Sequence, residues 1–201
     1  MCSAGLEAAN GDRCLWFAGV ECRYYILLCD GMGTGPEAAR DGRRIGGMLK
    51  KMLTAGFPAI YALRSINSMC ALQGQAGAVT VDLAEIHLDS GRAAVYKWGA
   101  APSYLLRDGG IEKIGTAGPP PGLSVTESRE KVERLSLRRG EVLVLLSDGV
   151  GGEDALQSRF SGEDLPLGEL AARILDMADT QSEDDATVAV IRLNSESPGV
   201  S

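Results

Sequence analysis

Two segments of this chain, YYILLCDG (24–31) and EVLVLLSDG (141–149), are apolar at successive positions and then stop at an aspartate followed by glycine. A strand that is apolar on both faces needs cover on both, so such segments belong inside a sheet held between two layers. Residues 78–114 make the same demand. AVTVDLAEIHL, AAVYKWG, SYLLR and IEKI read there as a β meander separated by DSG, AAP and DGG, all turn chemistry. In its first strand Val79, Val81 and Leu83 point one way, while Ala84, Ile86 and Leu88 take the second face after a change of phase.

The remaining segments supply the cover. CLWFAGV (14–20) pairs with YYILLCD (24–30) as a hairpin across Glu21-Cys22-Arg23. Pro36 suits the first turn of a helix, and Ala38, Ile45, Met48, Leu49, Met52 and Leu53 recur at helical spacing until Gly56 and Pro58. A second helix carries Ile60, Leu63, Ile66 and Cys70 and ends at Gly74 and Gly77. GTAGPPPGLS (115–124) is a loop stiffened by prolines, a last helix carries Leu167, Leu170, Ala171, Ile174 and Leu175, and ATVAVIRL (186–193) is a final strand. Strands, then helices, then strands describe an α+β domain over residues 1–193, with NSESPGVS (194–201) a disordered tail.

Composition narrows the chemistry. A net charge of -7 and a pI near 4.8 argue against nucleic acid as the main partner, because phosphate-backbone binding needs a basic face. Arg43-Arg44 and Lys50-Lys51 read as the solvated side of a helix. The single histidine, His87, excludes two-His zinc motifs and sits between apolar neighbours as a packed or surface residue. Five cysteines without a CxxC pair suit a reducing compartment, and no run of 18 apolar residues predicts contact with a membrane core. No GxSxG, GxxxxGK[ST] or HExxH occurs. GMGTG after a strand resembles a dinucleotide loop, but Pro36 takes the place of the third glycine and KKMLTAG (50–56) offers no acid for a ribose. Any chemistry therefore falls to carboxylates.

Three sites share one grammar: Asp30-Gly31 and Asp148-Gly149 end apolar strands, and Asp184-Asp185 precedes one. Each alone is compatible with a plain turn. Together they place carboxylates where strand ends can converge, beside glycines that let backbone carbonyls approach an ion. Oxygen donors without imidazole or thiolate select Mg²⁺ or Mn²⁺, and two such ions ~3.5–4 Å apart clamp an in-line attack on phosphorus.

In that order and spacing, DGMGTGPEA, SDGV and DDATV resemble the metal-dependent Ser/Thr protein phosphatases of the phosphatase 2C type, in the bacterial branch typified by stage II sporulation protein E. INSMCAL, the hairpins from TVDLAEIHL to IEKI with Gly99–Ser103, and GPPPGL extend the likeness over roughly residues 11–193. The resemblance implies a four-layer αββα sandwich, two antiparallel sheets flanked by helix pairs. It implies two Mn²⁺ or Mg²⁺ ions, with Asp30 bridging both, the Gly31 carbonyl on one and Asp148 on the other. Asp184 would be the third metal carboxylate, Asp185 a neighbour able to replace it, and Asp12 of Gly11-Asp12 a supporting carboxylate.

A metal-activated water would hydrolyse phosphoserine or phosphothreonine on a protein, by resemblance a phosphorylated anti-sigma-factor antagonist. The family has a strand before the Gly-Asp element, where this chain has only ten residues. That departure implies a reduced domain or a piece of a longer protein, cytoplasmic or the cytoplasmic part of a membrane protein. The helices after Pro36 correspond to a segment that relatives use to couple dimerisation or partner binding to assembly of the metal site, which admits a homodimer. The alternative is a non-catalytic or switched-off sensor of the same fold; aspartate at all three matched positions favours the enzyme.

Overall fold

A computed structural model describes residues 2–4, 12–33, 36–75, 77–107, 110–116, 118–123, 132–150, 165–176 and 185–193. In chain order the elements are β1 (Cys2–Ala4), β2 (Asp12–Ala18), β3 (Arg23–Gly31), α1 (Pro36–Thr54), α2 (Ala59–Leu72), β4 (Val79–His87) and β5 (Arg92–Trp98). They continue with β6 (Ser103–Arg107), β7 (Gly110–Ile114), β8 (Val132–Ser136), β9 (Val142–Leu146), α3 (Leu167–Leu175) and β10 (Ala186–Arg192). The strands form two sheets, ordered β1-β10-β9-β6-β7 and β2-β3-β4-β5-β8. Among the described residues every pair of these strands is antiparallel.

The apolar pattern decides the layering. On one face of β3 and β4, Tyr25, Leu27, Cys29, Val79, Val81 and Leu83 pack under Ile45, Leu49 and Leu53 of α1 and Leu63, Ile66 and Cys70 of α2. On the far side, Leu170, Ala171 and Ile174 of α3 cover Tyr104, Val144, Val188 and Val190. Between the sheets lie Ile26, Ala84, Ile86, Val95, Leu105, Leu143, Leu145 and Ala189. The four-layer αββα sandwich is as expected. The second sheet's outer layer shows α3 alone among the described residues, since residues 151–164 lie outside them. No described helix is long and apolar enough to cross a membrane.

Local chemistry sets the joints. The β2–β3 hairpin turns through Glu21 and Cys22, both at φ 54, with the Arg23 amide donating to the Val20 carbonyl at 3.1 Å. Two positive φ values in a two-residue loop match the twist of the flanking strands. Helix α1 ends in a Schellman motif, in which the Phe57 amide bonds the Met52 carbonyl and the Gly56 amide the Leu53 carbonyl. Gly56 there has φ +88, a conformation open to glycine at little cost.

Four readings of the sequence change. Residues 78–114 are not one meander: β4–β5 and β6–β7 are hairpins of different sheets, and the chain switches sheets at Gly99–Pro102. Turn residues announce a reversal but not the sheet that receives the next strand. Strand β4 has no change of phase. Thr80, Asp82, Ala84 and Ile86 share one continuous inter-sheet face, while Leu88 lies beyond the strand and is exposed. Strand β8, VERLS, was not anticipated; it is an edge strand beside β5, half polar because one flank meets solvent. The residues ahead of Asp12 do contribute a strand, β1, paired with β10. The tail 194–201 lies outside the described residues.

Candidate metal-dependent active site

The inner faces of β2, β3, β4 and β5 stay in strict alternation to the end of the sandwich, but their residues change character there. Asp12 faces Asp30 across the β2–β3 pair, and Asp30 faces Thr80 across β3–β4. From the other sheet, β9 runs out through Ser147 into Asp148. Asp30 and Asp148 line one cleft with Leu28, Thr80, Gly99, Ala100, Ala101, Leu146 and Ser147.

Ser147 organises the second side. Its amide donates to the Thr187 carbonyl at 3.0 Å, and the Thr187 amide donates back to Ser147 Oγ at 2.8 Å. Ser147 Oγ also donates to the Asp185 carbonyl at 3.3 Å. These bonds bring the loop after β9 against the start of β10. A Cβ on Gly149 would run into the Asp185 carbonyl, and one on Gly31 into the Ala38 carbonyl of α1. Both glycines beside the aspartates are thus required by close backbone approach.

The carboxylates perturb one another. Burial, then the charges of Asp12 and Asp148, push Asp30 up to about 9. Burial also raises Asp12, with Asp185 adding to the effect and hydrogen bonds with Thr187, Ser147 and Asp30 opposing it. Acids crowded out of water hold protons unless a cation replaces them. This all-oxygen donor set fits a hard divalent ion.

The structure brings Asp12, Asp30 and Asp148 together and sets Asp185 beside Ser147. Asp184 and Gly11 lie outside the described residues. Among the described residues no three His, Cys, Asp or Glu converge closely enough to cage an ion by side chains alone. His87 sits at the opposite end of β4, facing Arg23, away from the cleft. Sequence reading passed over Ser147, Thr80, Asp82, Lys97 and Ser103. The serine inside LLSD and the lysine and aspartate inside apolar strands were the available signals.

A family model described as stage II sporulation protein E matches residues 21–194. The chain belongs to that family. It is 26% identical over 190 residues to stage II sporulation protein E of Bacillus subtilis (strain 168), covering 88% of this chain and 23% of the relative. The Priestia megaterium protein is 28% identical over 190 residues, covering 88% of this chain and 32% of the relative. The chain thus spans about a quarter to a third of the length of these relatives. A solved structure of the phosphatase 2C domain and a regulatory fragment of the Bacillus subtilis protein superposes with a TM-score of 0.86 at 26% identity, covering 98% of this chain and 61% of that one. RsbX in complex with magnesium shares the fold, with a TM-score of 0.76 at 16% identity, covering 96% of this chain and 93% of that one. The family member described here therefore carries the phosphatase 2C fold.

Proposed function

We propose that this chain is a metal-dependent protein serine/threonine phosphatase acting on phosphoserine or phosphothreonine of a regulatory protein, by family likeness an anti-sigma-factor antagonist. The observation that carries this reading is the pairing of Asp30 and Asp148, delivered by different sheets into one cleft, with Asp30 raised to about 9 by burial and its acidic neighbours. Asp30, the Gly31 carbonyl, Asp148 and Asp184, with Asp185 as its neighbour, would hold two Mn²⁺ or Mg²⁺ ions. Bound there, two such ions supply Lewis acidity and lower the pKa of coordinated water.

The chain's own contribution is placement. Asp30 holds a proton through burial and the charges of Asp12 and Asp148, and a cation held there would favour its carboxylate form. Asp12 stands behind Asp30 on β2, held toward it by its cross-strand register and bridged to the other sheet through Thr187 and Ser147. Leu28, Leu146 and Ala100 give the cleft apolar walls, which strengthens electrostatic interactions inside it.

The test is hydrolysis of a phosphoserine peptide with and without millimolar Mn²⁺, in the wild type and in Asp148→Asn, with calorimetric Mn²⁺ binding measured in parallel. Metal-dependent turnover lost in Asp148→Asn is the expected outcome. Wild-type Mn²⁺ binding without turnover on phosphopeptide or aryl phosphate would identify a switched-off or non-catalytic module instead. Absence of Mn²⁺ binding would sink the metal site itself.

A further inference from the structure

Next to the cleft, and outside the carboxylate set, lies a fully buried ionic cluster. Lys97 on β5 and Asp82 on β4 face each other across the strand pair, and both side chains are 0% exposed. Lys97 Nζ donates to Asp82 Oδ2, to Ser103 Oγ at 2.7 Å and to the Ala101 carbonyl at 2.5 Å. Ser103 Oγ closes the ring by donating to Asp82 Oδ2 at 3.1 Å. All three ammonium donors are therefore used. Asp82 Oδ1 is buried with no hydrogen-bond partner among the described residues.

Such a pair is an expensive way to fill space. Taking two charges out of water costs more than the attraction commonly returns, and apolar residues of similar volume often serve as well or better. The next inter-sheet pair along the same two strands, Ala84 facing Val95, is apolar. What the ionic pair does that an apolar pair cannot is grip a backbone carbonyl. That carbonyl belongs to Ala101, in the segment where the chain crosses between sheets, and Gly99, Ala100 and Ala101 form a wall of the cleft that holds Asp30 and Asp148. The outside of the same segment is braced as well. The Gly99 amide donates to the Gly118 carbonyl at 3.0 Å, and Gly99, at φ +76, lies so close to Pro120 that a Cβ would stand 2.7 Å from Pro120 Cγ.

We propose that Lys97, held by Asp82 and Ser103, is a positioning residue of the active site that clamps the Ala101 carbonyl and so fixes the Gly99–Ala101 wall of the cleft that Asp30 and Asp148 also line. The assignment rests on the phosphatase reading and extends it. Lys97 itself touches neither substrate nor metal; it acts through the Gly99–Ala101 backbone, and a misplaced wall costs binding geometry rather than the metal-binding groups.

The decisive variant is Asp82→Leu/Lys97→Met, which removes the pair without stranding a charge, with Ser103→Ala as a milder companion. Amide hydrogen exchange, Mn²⁺ binding by calorimetry, and steady-state kinetics on a phosphoserine peptide are measured for each. In the double variant, exchange at Gly99 accelerates by about tenfold while β9 and β10 amides keep their protection. KM rises by about tenfold, with kcat and Mn²⁺ affinity within about threefold of wild type. Ser103→Ala moves both readouts the same way by about two- to threefold, and it decides the matter if the double variant does not fold. Unchanged exchange at Gly99, or unchanged KM with only a lower melting temperature, would make the cluster purely structural and overturn the assignment. If the wild type shows no turnover, the phosphatase reading fails, while the exchange result still decides whether the clamp exists.

Discussion

The space between the two sheets has two ends built from the same strands. At one end Ile26, Ala84, Ile86, Val95, Leu143, Leu145 and Ala189 interlock as an apolar layer. At the other, the same inner faces present Asp12, Asp30, Thr80, Asp82, Lys97, Ser103, Ser147 and Thr187. Strand β4 contains the transition within itself, from Thr80 and Asp82 to Ala84 and Ile86 two residues at a time. Backbone geometry does not change across this boundary; only the side chains on one face do. The apolar end supplies the burial that holds the sheets together, and that stability tolerates, a few residues away, a cluster of acids and a buried lysine that would not pack by themselves.

This contrast predicts effects of different kind at the two ends, the largest at the polar one. Asp148→Asn is expected to lower metal-dependent phosphatase turnover by about 10²-fold or more with little change in melting temperature; wild-type turnover would remove Asp148 from the site. Lys97→Met alone strands the Asp82 carboxylate and should destabilise by ~3–5 kcal/mol. Urea unfolding reads this, and a loss no larger than in the Asp82→Leu/Lys97→Met double variant would show that the buried charge is not the cause. At the apolar end, Leu143→Ala leaves a cavity costing ~2–5 kcal/mol, while Mn²⁺ affinity measured below the melting transition stays at the wild-type value. A lost Mn²⁺ site there would mean the ends are not separable.

A smaller effect has an unusual sign. Because the folded chain raises Asp30 to about 9 from an unfolded value near 3.9, the folded state binds the extra proton. Asp30's contribution to stability is therefore full below about pH 4 and is lost as pH rises toward 9. Metal-free Asp30→Asn should melt a few degrees above metal-free wild type at pH 8, by roughly 3–6 °C, and gain less from added Mn²⁺. Equal melting curves would show that the acids do not repel one another. Smallest of all, Asn67→Ala removes the α2 side chain that accepts the Gly122 amide at 2.7 Å and should cost ~1 kcal/mol, read by thermal unfolding with kinetics unchanged.

What the sequence revealed follows the same division. Strands β3 and β9, helix α1 and the place of Asp30 and Asp148 at strand ends were legible because continuous apolar runs and helical spacing are local signals, and an aspartate at the end of such a run stands out. Asp82 and Lys97 were not, since a lone polar residue inside an apolar strand does not say what it faces; only pairing across β4 and β5 and the sheet above reveals that neither meets water. The sheet switch after Trp98 was hidden for a related reason. AAP is good turn chemistry for either a hairpin or a crossover, and the choice is made by the distant partner of β6, which is β9. The edge strand β8 escaped because its exposed flank dilutes the alternation.

Strand order has a consequence for the birth of the molecule. β2 through β5 form four neighbouring strands from one contiguous stretch of chain, whereas the sheet opposite joins β1 to β10 and seats β9 between β10 and β6. A ribosome thus delivers Asp12 and Asp30 on an early sheet that is nearly complete at Trp98, fifty residues before Asp148, and long before β10 arrives to close the other. Until then the early sheet shows its acids and its apolar inner face to water. Pairing so distant in sequence is slow to form, so a nascent chain paused before β9 has Asp30 without Asp148 and an uncovered surface that other proteins can find first.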